Sequence, residues 1–277
     1  MKIGVIGAGV MGSGIAQTFA DIGNYPVVLC DIKIEHAQAA KDKISKSLEK
    51  LVAKEKINQT EIARILDNIA VGTKADLSDC DLIIEAAIEQ VELKRELFKG
   101  LQAICKKDAI FATNTSSISI TKLSVGIDRP IIGIHFFNPV PRMKLVEIVT
   151  GVNTPTALIT QVENLVKTID KISVVAKDDA GFIVNRILIP MINEAIGVFA
   201  NKTATKEDID IAMKLGANQP MGPLELGDLI GLDVCLAIME VLHSQTKDEK
   251  YRPHPLLCKM VTAGHLGRKT GEGFYKY

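Results

Sequence analysis

The sequence predicts an α/β protein with a doubly wound, mostly parallel sheet and a second, smaller all-helical domain. Three observations lead to this prediction. A glycine-rich turn joins the first apolar strand to the first helix, apolar strands then alternate with amphipathic helices to about residue 179, and the pattern beyond is helical only. We therefore expect two domains, residues 1–179 and residues 180–277.

The glycine-rich turn is the strongest local signal. The apolar strand Ile3–Ile6 leads directly into Gly7-x-Gly9-x-x-Gly12 and a helix-compatible segment. Gly7 permits a tight turn, Gly9 lets backbone N–H groups approach a pyrophosphate, and Gly12 lets the helix pack close to the strand. The N-terminus of that helix then faces the phosphates. Gly23 is expected to end the helix in a left-handed conformation. This arrangement is typical of a Rossmann dinucleotide-binding domain.

An acidic residue ends the second predicted strand. Asp31 follows Gly12 by 19 residues, close to the roughly 20-residue spacing at which a carboxylate meets the adenine ribose hydroxyls. A carboxylate at this place repels the 2′-phosphate of NADP, so we expect NAD as the cofactor. Lys33 lies two residues further on, and it leaves the strictness of that preference open.

A lysine-rich amphipathic helix follows Asp31. Apolar residues keep helical spacing from Ile34 to Val52, while lysines and acidic residues share the other faces as far as Lys56. Such a helix can be a solvated surface or can hold phosphate groups, and the pattern leaves both interpretations open. Ser47 and Lys54, seven residues apart, are expected to share one helix face.

The remaining strands of the first domain are predicted as apolar runs between helices, which is typical of a parallel sheet covered on both faces. They lie at residues 69–71, 82–87, 110–114, 131–136, 144–149 and 172–175. Polar side chains lie where three of these strands end, at Glu89, at residues 114–117 and at His135. Ligands of open parallel sheets bind at the carboxyl ends of the strands, so these residues are site candidates by position.

His135 is the candidate general base. A proline-rich turn at residues 138–142 separates two strands, and His135 and Glu147 are each six residues from its centre, Pro141. In a hairpin with that centre they are cross-strand partners, whose Cβ atoms lie roughly 5 Å apart. A histidine in an apolar strand is more often a core residue, but the dinucleotide crevice and the acidic partner favour catalysis. His135 would take the hydroxyl proton of an alcohol as hydride leaves, and Glu147 would stabilise the imidazolium.

The composition excludes several classes of partner. Lys+Arg 33 equals Asp+Glu 33, so no net basic field recruits nucleic acid or an anionic membrane. Five widely spaced cysteines without a CxxC pair indicate buried thiols in a reducing compartment, and we expect neither a disulfide nor a metal site. No segment suits a membrane span or a targeting peptide, and we expect a cytoplasmic protein.

The second domain is predicted to contain five helices, at residues 183–200, 207–215, 224–230, 232–242 and 256–261. Thr205 is expected to cap the second of these helices and Gly216 to close it. The tail at residues 264–277 is rich in glycine and lysine, and we expect it to fold back on the protein.

Taken together, the motifs resemble the L-3-hydroxyacyl-CoA dehydrogenase family, and among its members the bacterial 3-hydroxybutyryl-CoA dehydrogenases. The resemblance spans the whole chain and is carried by Gly7-x-Gly9-x-x-Gly12, Asn114-Thr115-Ser116-Ser117, His135-Phe136-Phe137-Asn138-Pro139, Lys144-Leu145-Val146-Glu147, Gly181-Phe182-Ile183-Val184-Asn185-Arg186, Pro220-Met221-Gly222-Pro223 and Gly271-Glu272-Gly273-Phe274-Tyr275.

The resemblance implies roles for individual residues. The implied catalytic residues are His135, Glu147, Ser116 and Asn185. Besides the three glycines of the turn, the implied cofactor contacts are Asp31, Glu89, Lys94, Ser116, Asn138 and Lys269. The implied coenzyme A contacts are Ser47, Lys54 and Ser116, which favours phosphate binding for the lysine-rich helix. Asn185 can also be read as a polar residue at a helix N-terminus.

We therefore expect an NAD-dependent oxidoreductase that interconverts (S)-3-hydroxyacyl-CoA and 3-ketoacyl-CoA, with acetoacetyl-CoA as the preferred substrate. Residues 1–179 are expected to bind the dinucleotide, and residues 180–277 to serve dimerisation and substrate contact in a homodimer or higher homo-oligomer. Two alternatives stay open at this point. One is a dehydrogenase of a free 3-hydroxy acid, and the other is a non-catalytic, crystallin-like dinucleotide-binding protein.

Overall fold

The computed structural model describes residues 1–277 and divides them into two compact units, Met1–Asp179 and Ala180–Tyr277. The first unit is built on one eight-stranded sheet. Its strands are β1 (Ile3–Ile6), β2 (Val27–Cys30), β3 (Ile69–Gly72), β4 (Leu82–Glu85), β5 (Ile110–Thr113), β6 (Ile131–Phe136), β7 (Leu145–Thr150) and β8 (Ile172–Lys177). They follow the order β3-β2-β1-β4-β5-β6-β7-β8, and every neighbouring pair is parallel except β6 and β7. The predicted doubly wound, mostly parallel sheet is confirmed.

Helices cover both faces of this sheet. They are α1 (Val10–Asp21), α2 (Ile34–Val52), α3 (Gln59–Asp67), α4 (Val91–Gln102), α5 (Ile120–Leu123) and α6 (Thr156–Thr168). Phe19 of α1 belongs to the core cluster that contains Ala112 of β5. Phe98 of α4 instead packs on Phe111 of β5, with 5.6 Å between the ring centroids. Neighbouring strand residues point to opposite faces, so these helices lie on opposite sides of the sheet.

Helix α3 was not predicted from the sequence. It begins with a capping box, in which the Asn58 side chain accepts from the Glu61 N–H and the Glu61 side chain accepts from the Asn58 N–H. The Asn-x-x-Glu spacing that produces this cap is visible in the sequence. The helix is nine residues long and buries only Ile62 and Ile65 among its residues, so its apolar stripe is short.

The glycine turn has the predicted geometry. Gly7 has a φ of +98°, and a Cβ on it would lie 2.6 Å from the Ala86 carbonyl oxygen. A Cβ on Gly12 would lie 1.8 Å from the Gly7 carbonyl oxygen, so only glycine allows α1 to pack this closely. No atom lies within 4 Å of the corresponding point on Gly9. The turn is tight on its inner side and open above Gly9.

The predicted left-handed end of α1 at Gly23 is wrong. Helix α1 ends at Asp21, and Asn24, not Gly23, has the positive φ of 50°. Asparagine tolerates this conformation because its short polar side chain can hydrogen-bond locally. Gly23 is required for a different reason, since a Cβ there would lie 2.4 Å from the ring of Tyr25.

The second unit is helical, as predicted. It contains α7 (Val184–Ala200), α8 (Lys206–Gly216), α9 (Pro223–Ile230), α10 (Leu232–Thr246) and α11 (Pro255–Thr262). The Thr205 hydroxyl accepts from the Asp208 N–H and caps α8 as predicted. That helix ends at Gly216, but the left-handed residue that follows is Asn218. None of the helices in either unit combines the length and apolar character that a membrane span needs.

The C-terminal tail folds back within this unit, as predicted. The N–H groups of Phe274 and Tyr275 each donate to Asp228 at 2.9 Å, and the Tyr275 hydroxyl donates to Asp210 at 2.9 Å. A Cβ on Gly273 would lie 2.0 Å from an Asp228 carboxylate oxygen. Burial raises the pKa of Asp228 in spite of the hydrogen bonds that it accepts. Two buried acids of α8 and α9 thus hold the last residues of the chain.

Candidate active site

His135 and Glu147 are directly opposite each other on the antiparallel strands β6 and β7. His135 Nδ1 donates to Glu147 Oε2 at 2.8 Å, and the two residues are 6% and 0% exposed. The predicted contact is confirmed. Because a carboxylate only accepts, the proton of the neutral ring lies on Nδ1, and Nε2 is the nitrogen suited to exchanging a proton with a ligand.

The histidine is held in place by its neighbours in the chain and in the sheet. The ring of Phe137 lies 4.6 Å from the imidazole, centroid to centroid. Asn114, the residue after β5, accepts from the Phe136 N–H through Oδ1 at 2.9 Å. The end of β6 is therefore fixed to the end of β5, so the orientation of His135 is coupled to the polar turn that follows β5.

Asp31 is hydrogen-bonded to the glycine turn. Its Oδ2 accepts from the Ala8 N–H at 2.6 Å, and its Oδ1 accepts from the Ile32 N–H at 2.8 Å and lies 3.2 Å from His36 Nδ1. Partial burial acts to raise the pKa of Asp31, but these contacts outweigh it and hold that pKa below the usual range. Asp31 is therefore a charged acceptor beside the turn.

These residues fit a dinucleotide. The turn is open above Gly9, α1 begins immediately after it, and the first turn of α1 carries no acidic side chain. A helix N-terminus of this kind attracts phosphate oxygens. Asp31 at the end of the neighbouring strand supplies the acceptor that ribose hydroxyls need. A side chain at Gly7 would clash with the Ala86 backbone and one at Gly12 with the Gly7 carbonyl, so the turn depends on both glycines.

Glu89 holds the turn that carries Ser116. One of its carboxylate oxygens, Oε1, accepts from the Thr115 hydroxyl at 2.5 Å, the Ser116 N–H at 2.9 Å and the Ser117 N–H at 3.2 Å. Burial acts to raise the pKa of Glu89, but the Lys94 ammonium and these donors outweigh it and lower that pKa. Glu89 and Ser116 are both predicted cofactor contacts, and the structure brings them together.

Lys94 lies beneath this turn, not on its surface. It is 1% exposed, and its Nζ donates to Glu85 Oε1 at 2.6 Å and to the Ala87 carbonyl at 3.2 Å. The same ammonium lies 3.3 Å from Glu89 Oε2. The resemblance implies Lys94 as a cofactor contact, and this role stays a prediction. Within the protein its ammonium is paired with two carboxylates.

The two predicted coenzyme A contacts of the lysine-rich segment are both exposed. Ser47 lies on α2, as expected. Lys54 does not, because α2 ends at Val52 and the Lys54 N–H donates to the Leu51 carbonyl in the turn that follows. The helical spacing therefore does not relate Lys54 to Ser47, and the expectation of a shared helix face is wrong.

The other predicted site residues are distributed over both units. Asn138 is exposed in the connection between β6 and β7. Asn185 is the second residue of α7, and Lys269 lies in a short 3₁₀ helix, Arg268–Thr270, where its ammonium pairs with Asp233. Their roles stay predictions.

Three residues around the Ser116 turn were missed by the sequence reasoning. Glu85 and Thr113 lie below it and are hydrogen-bonded to each other at 2.7 Å. Asp178 accepts from the Ile120 N–H at 2.9 Å and from the Thr121 N–H at 2.8 Å, which caps α5. Glu85 had a visible signal, since it is the one charged residue of the apolar strand β4.

Comparison with known proteins independently supports a dinucleotide-binding domain in this chain. The family description "3-hydroxyacyl-CoA dehydrogenase, NAD binding domain" matches residues 2–179, and the C-terminal domain of the same family matches residues 181–277. The chain is 53% identical over 285 residues to a 3-hydroxybutyryl-CoA dehydrogenase of Clostridioides difficile, which covers 100% of this chain and 99% of the relative. It is 42% identical over 283 residues to the mitochondrial hydroxyacyl-coenzyme A dehydrogenase of Homo sapiens, which covers 99% and 90%. The crystal structure of (S)-3-hydroxybutyryl-CoA dehydrogenase PaaH1 from Ralstonia eutropha matches with a TM-score of 0.95 at 46% identity, covering 100% of this chain and 98% of that one.

Proposed function

The chain belongs to the 3-hydroxyacyl-CoA dehydrogenase family, and we propose that it interconverts (S)-3-hydroxybutanoyl-CoA and acetoacetyl-CoA with NAD(H). The observation that carries this proposal is the buried His135–Glu147 pair, with 2.8 Å between Nδ1 and Oε2, in the same sheet as the dinucleotide-binding turn. A proton-exchanging imidazole and a hydride acceptor are the two components that oxidation of a secondary alcohol needs.

His135 carries the proton in this reaction. In the oxidative direction Nε2 takes the proton of the 3-hydroxyl group, and in the reductive direction the imidazolium returns a proton to the 3-keto oxygen. Glu147 keeps the ring in the required tautomer through Nδ1 and stabilises the imidazolium by its negative charge. Both side chains are buried, so the attraction between them is little screened by solvent.

NAD, when bound, supplies the acceptor for the hydride that leaves carbon 3 of the substrate. Gly7, Gly9 and Gly12 leave room for the pyrophosphate, and Asp31 accepts from the adenine ribose. The charge of Asp31 at neutral pH favours NAD over NADP. We assign Asn138 and Lys269 to cofactor binding as well, on the family resemblance alone.

Ser116 and Asn185 are assigned to the reacting oxygen, and Ser47, Lys54 and Ser116 to the coenzyme A moiety. The support for Ser116 is that its backbone is fixed by Glu89, so its hydroxyl sits on a rigid turn at the carboxyl edge of the sheet. The support for Ser47 and Lys54 is their exposure in a lysine-rich region, where phosphates can be reached from solvent.

The helical unit is proposed to form the subunit contact of a homodimer. Ile187 of α7 and Leu215 of α8 are 67% and 82% exposed, so both helices leave large apolar side chains that a partner subunit would cover. We propose a cytoplasmic location, which the five unpaired cysteines support, four of them buried.

A direct assay tests the proposed function. Oxidation of NADH is measured with acetoacetyl-CoA, with longer 3-ketoacyl-CoA esters and with free acetoacetate. We expect turnover with acetoacetyl-CoA, a decline along the chain-length series, and little turnover with the free acid. Equal turnover with free acetoacetate would support a free hydroxy acid dehydrogenase instead. Absence of turnover with every ester, together with intact NADH binding, would indicate a non-catalytic protein.

A further inference from the structure

Beneath the Ser116 turn lies a buried acid, Glu85, to which the proposed function gives no role. We propose that Glu85 is a positioning residue that fixes Ser116 through Lys94 and Glu89. This inference rests on the proposed function for the role of Ser116 in turnover, and its structural part stands on the contacts alone.

Glu85 is the last residue of β4 and is 0% exposed. Both of its carboxylate oxygens are engaged. Oε1 accepts from the Ala87 N–H at 2.6 Å and from Lys94 Nζ at 2.6 Å, and Oε2 accepts from the Thr113 hydroxyl at 2.7 Å. A carboxylate at this depth is tolerated because each oxygen has a close donor and a cation neutralises the charge.

Lys94 connects this acid to the surface of the site. Its ammonium lies 2.6 Å from Glu85 Oε1 but 3.3 Å from Glu89 Oε2, so the shorter pairing is with the deeper acid. Two carboxylates therefore share one buried cation, and the position of that cation depends on both acids. Because charges in a poorly solvated environment interact strongly, removal of one acid shifts the cation toward the other.

Glu89 transmits such a shift to the turn. Its Oε2 faces Lys94, while its Oε1 accepts from Thr115, Ser116 and Ser117. If Lys94 moves toward Glu89, the carboxylate rotates and the backbone donors of the turn lose their acceptor. The turn then loosens at Ser116 although no residue that touches a ligand has changed. Glu85 thus fixes the position of Ser116 without touching a ligand, and Lys94 carries this effect to Glu89.

The variant that tests this is Glu85→Gln, which keeps the shape and one acceptor oxygen but removes the charge. The matched control is Glu96→Gln on the exposed face of α4, where Glu96 pairs with Lys99 at 3.0 Å. Hydrogen–deuterium exchange of the peptide containing Ser116 and Ser117 is measured first, because it does not depend on turnover. We expect faster exchange in Glu85→Gln and no change in Glu96→Gln. Unchanged exchange in Glu85→Gln would overturn the proposal.

Kinetics provide the second readout. We expect kcat with acetoacetyl-CoA to fall about 10-fold or more in Glu85→Gln, because small displacements of a positioned group are costly, while the Kd of NADH from fluorescence titration rises by a smaller factor, since Asp31 and the glycine turn are unchanged. In a Ser116→Ala background, Glu85→Gln should lower kcat by less than about twofold, since groups that act as a unit are not additive. An equal loss in both backgrounds would show that Glu85 acts by another route.

A milder variant covers the case in which Glu85→Gln does not fold. Glu85→Asp keeps the charge but shortens the side chain by one methylene group, which draws the carboxylate away from Lys94 Nζ. It should produce the same pattern of faster exchange and Ser116-dependent loss at smaller amplitude, and normal exchange would count against the proposal. If the wild-type chain lacks turnover, the proposed function fails by itself, and the exchange measurement still decides whether Glu85 fixes the turn.

Discussion

The Ala8 N–H donates to Asp31 Oδ2 at 2.6 Å, so the acid that ends β2 is bonded to the middle of the glycine turn between β1 and α1. This contact holds the turn in shape. In the proposed function the same side chain also presents a charged oxygen to the ribose. The Rossmann motif is usually read as separate glycines and a distant acid, but here a hydrogen bond joins the two parts.

The first prediction follows from that contact. Asp31→Ser should raise the KM for NADH about 10-fold or more, because a charge-assisted hydrogen bond is lost and the turn loses its anchor. The same change removes the charge that repels a 2′-phosphate, so the ratio of kcat/KM values should move toward NADPH. Steady-state kinetics with both cofactors measure this. Asp42→Asn, an exposed acid of α2 paired with Gln38, is the control, and unchanged KM values in Asp31→Ser would refute the assignment.

The second prediction concerns pH and Glu89. Its pKa lies below the usual range in the folded protein, so its charge stabilises the fold above the ordinary glutamate pKa and that stabilisation is lost as the pH falls through the lower, folded value. Glu89→Gln should lower the free energy of unfolding by about 1 kcal/mol at neutral pH, since the side chain is partly exposed. The difference from the wild type should begin to shrink as the pH falls below the ordinary glutamate pKa of about 4.3, and it should disappear only below the lower, folded value.

Urea unfolding at several pH values provides this measurement. Glu96→Gln, which removes an exposed charge on α4, should differ from the wild type by a few tenths of a kcal/mol at most. A difference between Glu89→Gln and the wild type that stays constant from neutral to acidic pH would mean that the carboxylate charge contributes nothing.

The register of β6 and β7 could be predicted because its determinants are local. Both strands are apolar runs, the proline-rich turn between them is short, and counting outward from Pro141 places His135 opposite Glu147, as observed. The mostly parallel sheet was predictable for a similar reason, since its strands are separate apolar runs and most of them are separated by helices. Hydrophobic periodicity and turn residues are thus sufficient to predict the strands and the register of β6 and β7.

The contacts beneath the Ser116 turn could not be predicted, because they join residues that are distant in the chain. Asp178 caps α5 from 58 residues away, and Thr113 reaches Glu85 across 28 residues. Sequence spacing does not relate such pairs, because they become neighbours only through the order of the strands in the sheet. The error at Gly23 has a different cause. A glycine is needed at position 23 because a Cβ would clash with Tyr25. Its presence therefore does not indicate a left-handed backbone at that position.

The third prediction concerns coenzyme A. Lys54→Ala should raise the KM for acetoacetyl-CoA about fivefold at low ionic strength with little change in the KM for NADH, because a solvent-exposed phosphate contact contributes equally to ground state and transition state. Added salt should reduce the effect, since such contacts are screened. Lys99→Ala on α4 is the control for loss of an exposed lysine. An equal rise in both KM values for Lys54→Ala would indicate a disturbed fold.

The fourth prediction concerns assembly. If the exposed apolar residues of α7 and α8 form the subunit contact, light scattering should give at least twice the chain mass of 30.0 kDa. Leu215→Lys places a charge at the most exposed of these side chains and should shift the protein toward the monomer. Glu207→Lys, at an exposed polar position of the same helix, is the control. A fully active wild-type monomer at micromolar concentration would contradict the proposal.

The last prediction addresses the pair that carries the proton. Glu147→Gln keeps the size of the side chain and an amide oxygen that can still accept from His135 Nδ1, so folding and NADH binding should survive. The negative charge that stabilises the imidazolium is lost, however, and His135 becomes a weaker base. We expect kcat for alcohol oxidation to fall by about 10² or more, the scale of a positioned acid or base. Oxidation requires the neutral ring, so the acidic limb of the pH–rate profile should move to lower pH.

The double variant decides whether the two residues act together. His135→Ala should reduce kcat at least as far as Glu147→Gln, and adding Glu147→Gln to His135→Ala should reduce it little further, because a carboxylate that works only through the imidazole has nothing to stabilise once the ring is gone. The Kd of NADH, measured by fluorescence, confirms that each variant still binds the cofactor. If the two losses multiply instead, or if Glu147→Gln keeps near-normal kcat, then the 2.8 Å contact is a packing contact of β6 and β7 and His135 exchanges its proton without help from the acid.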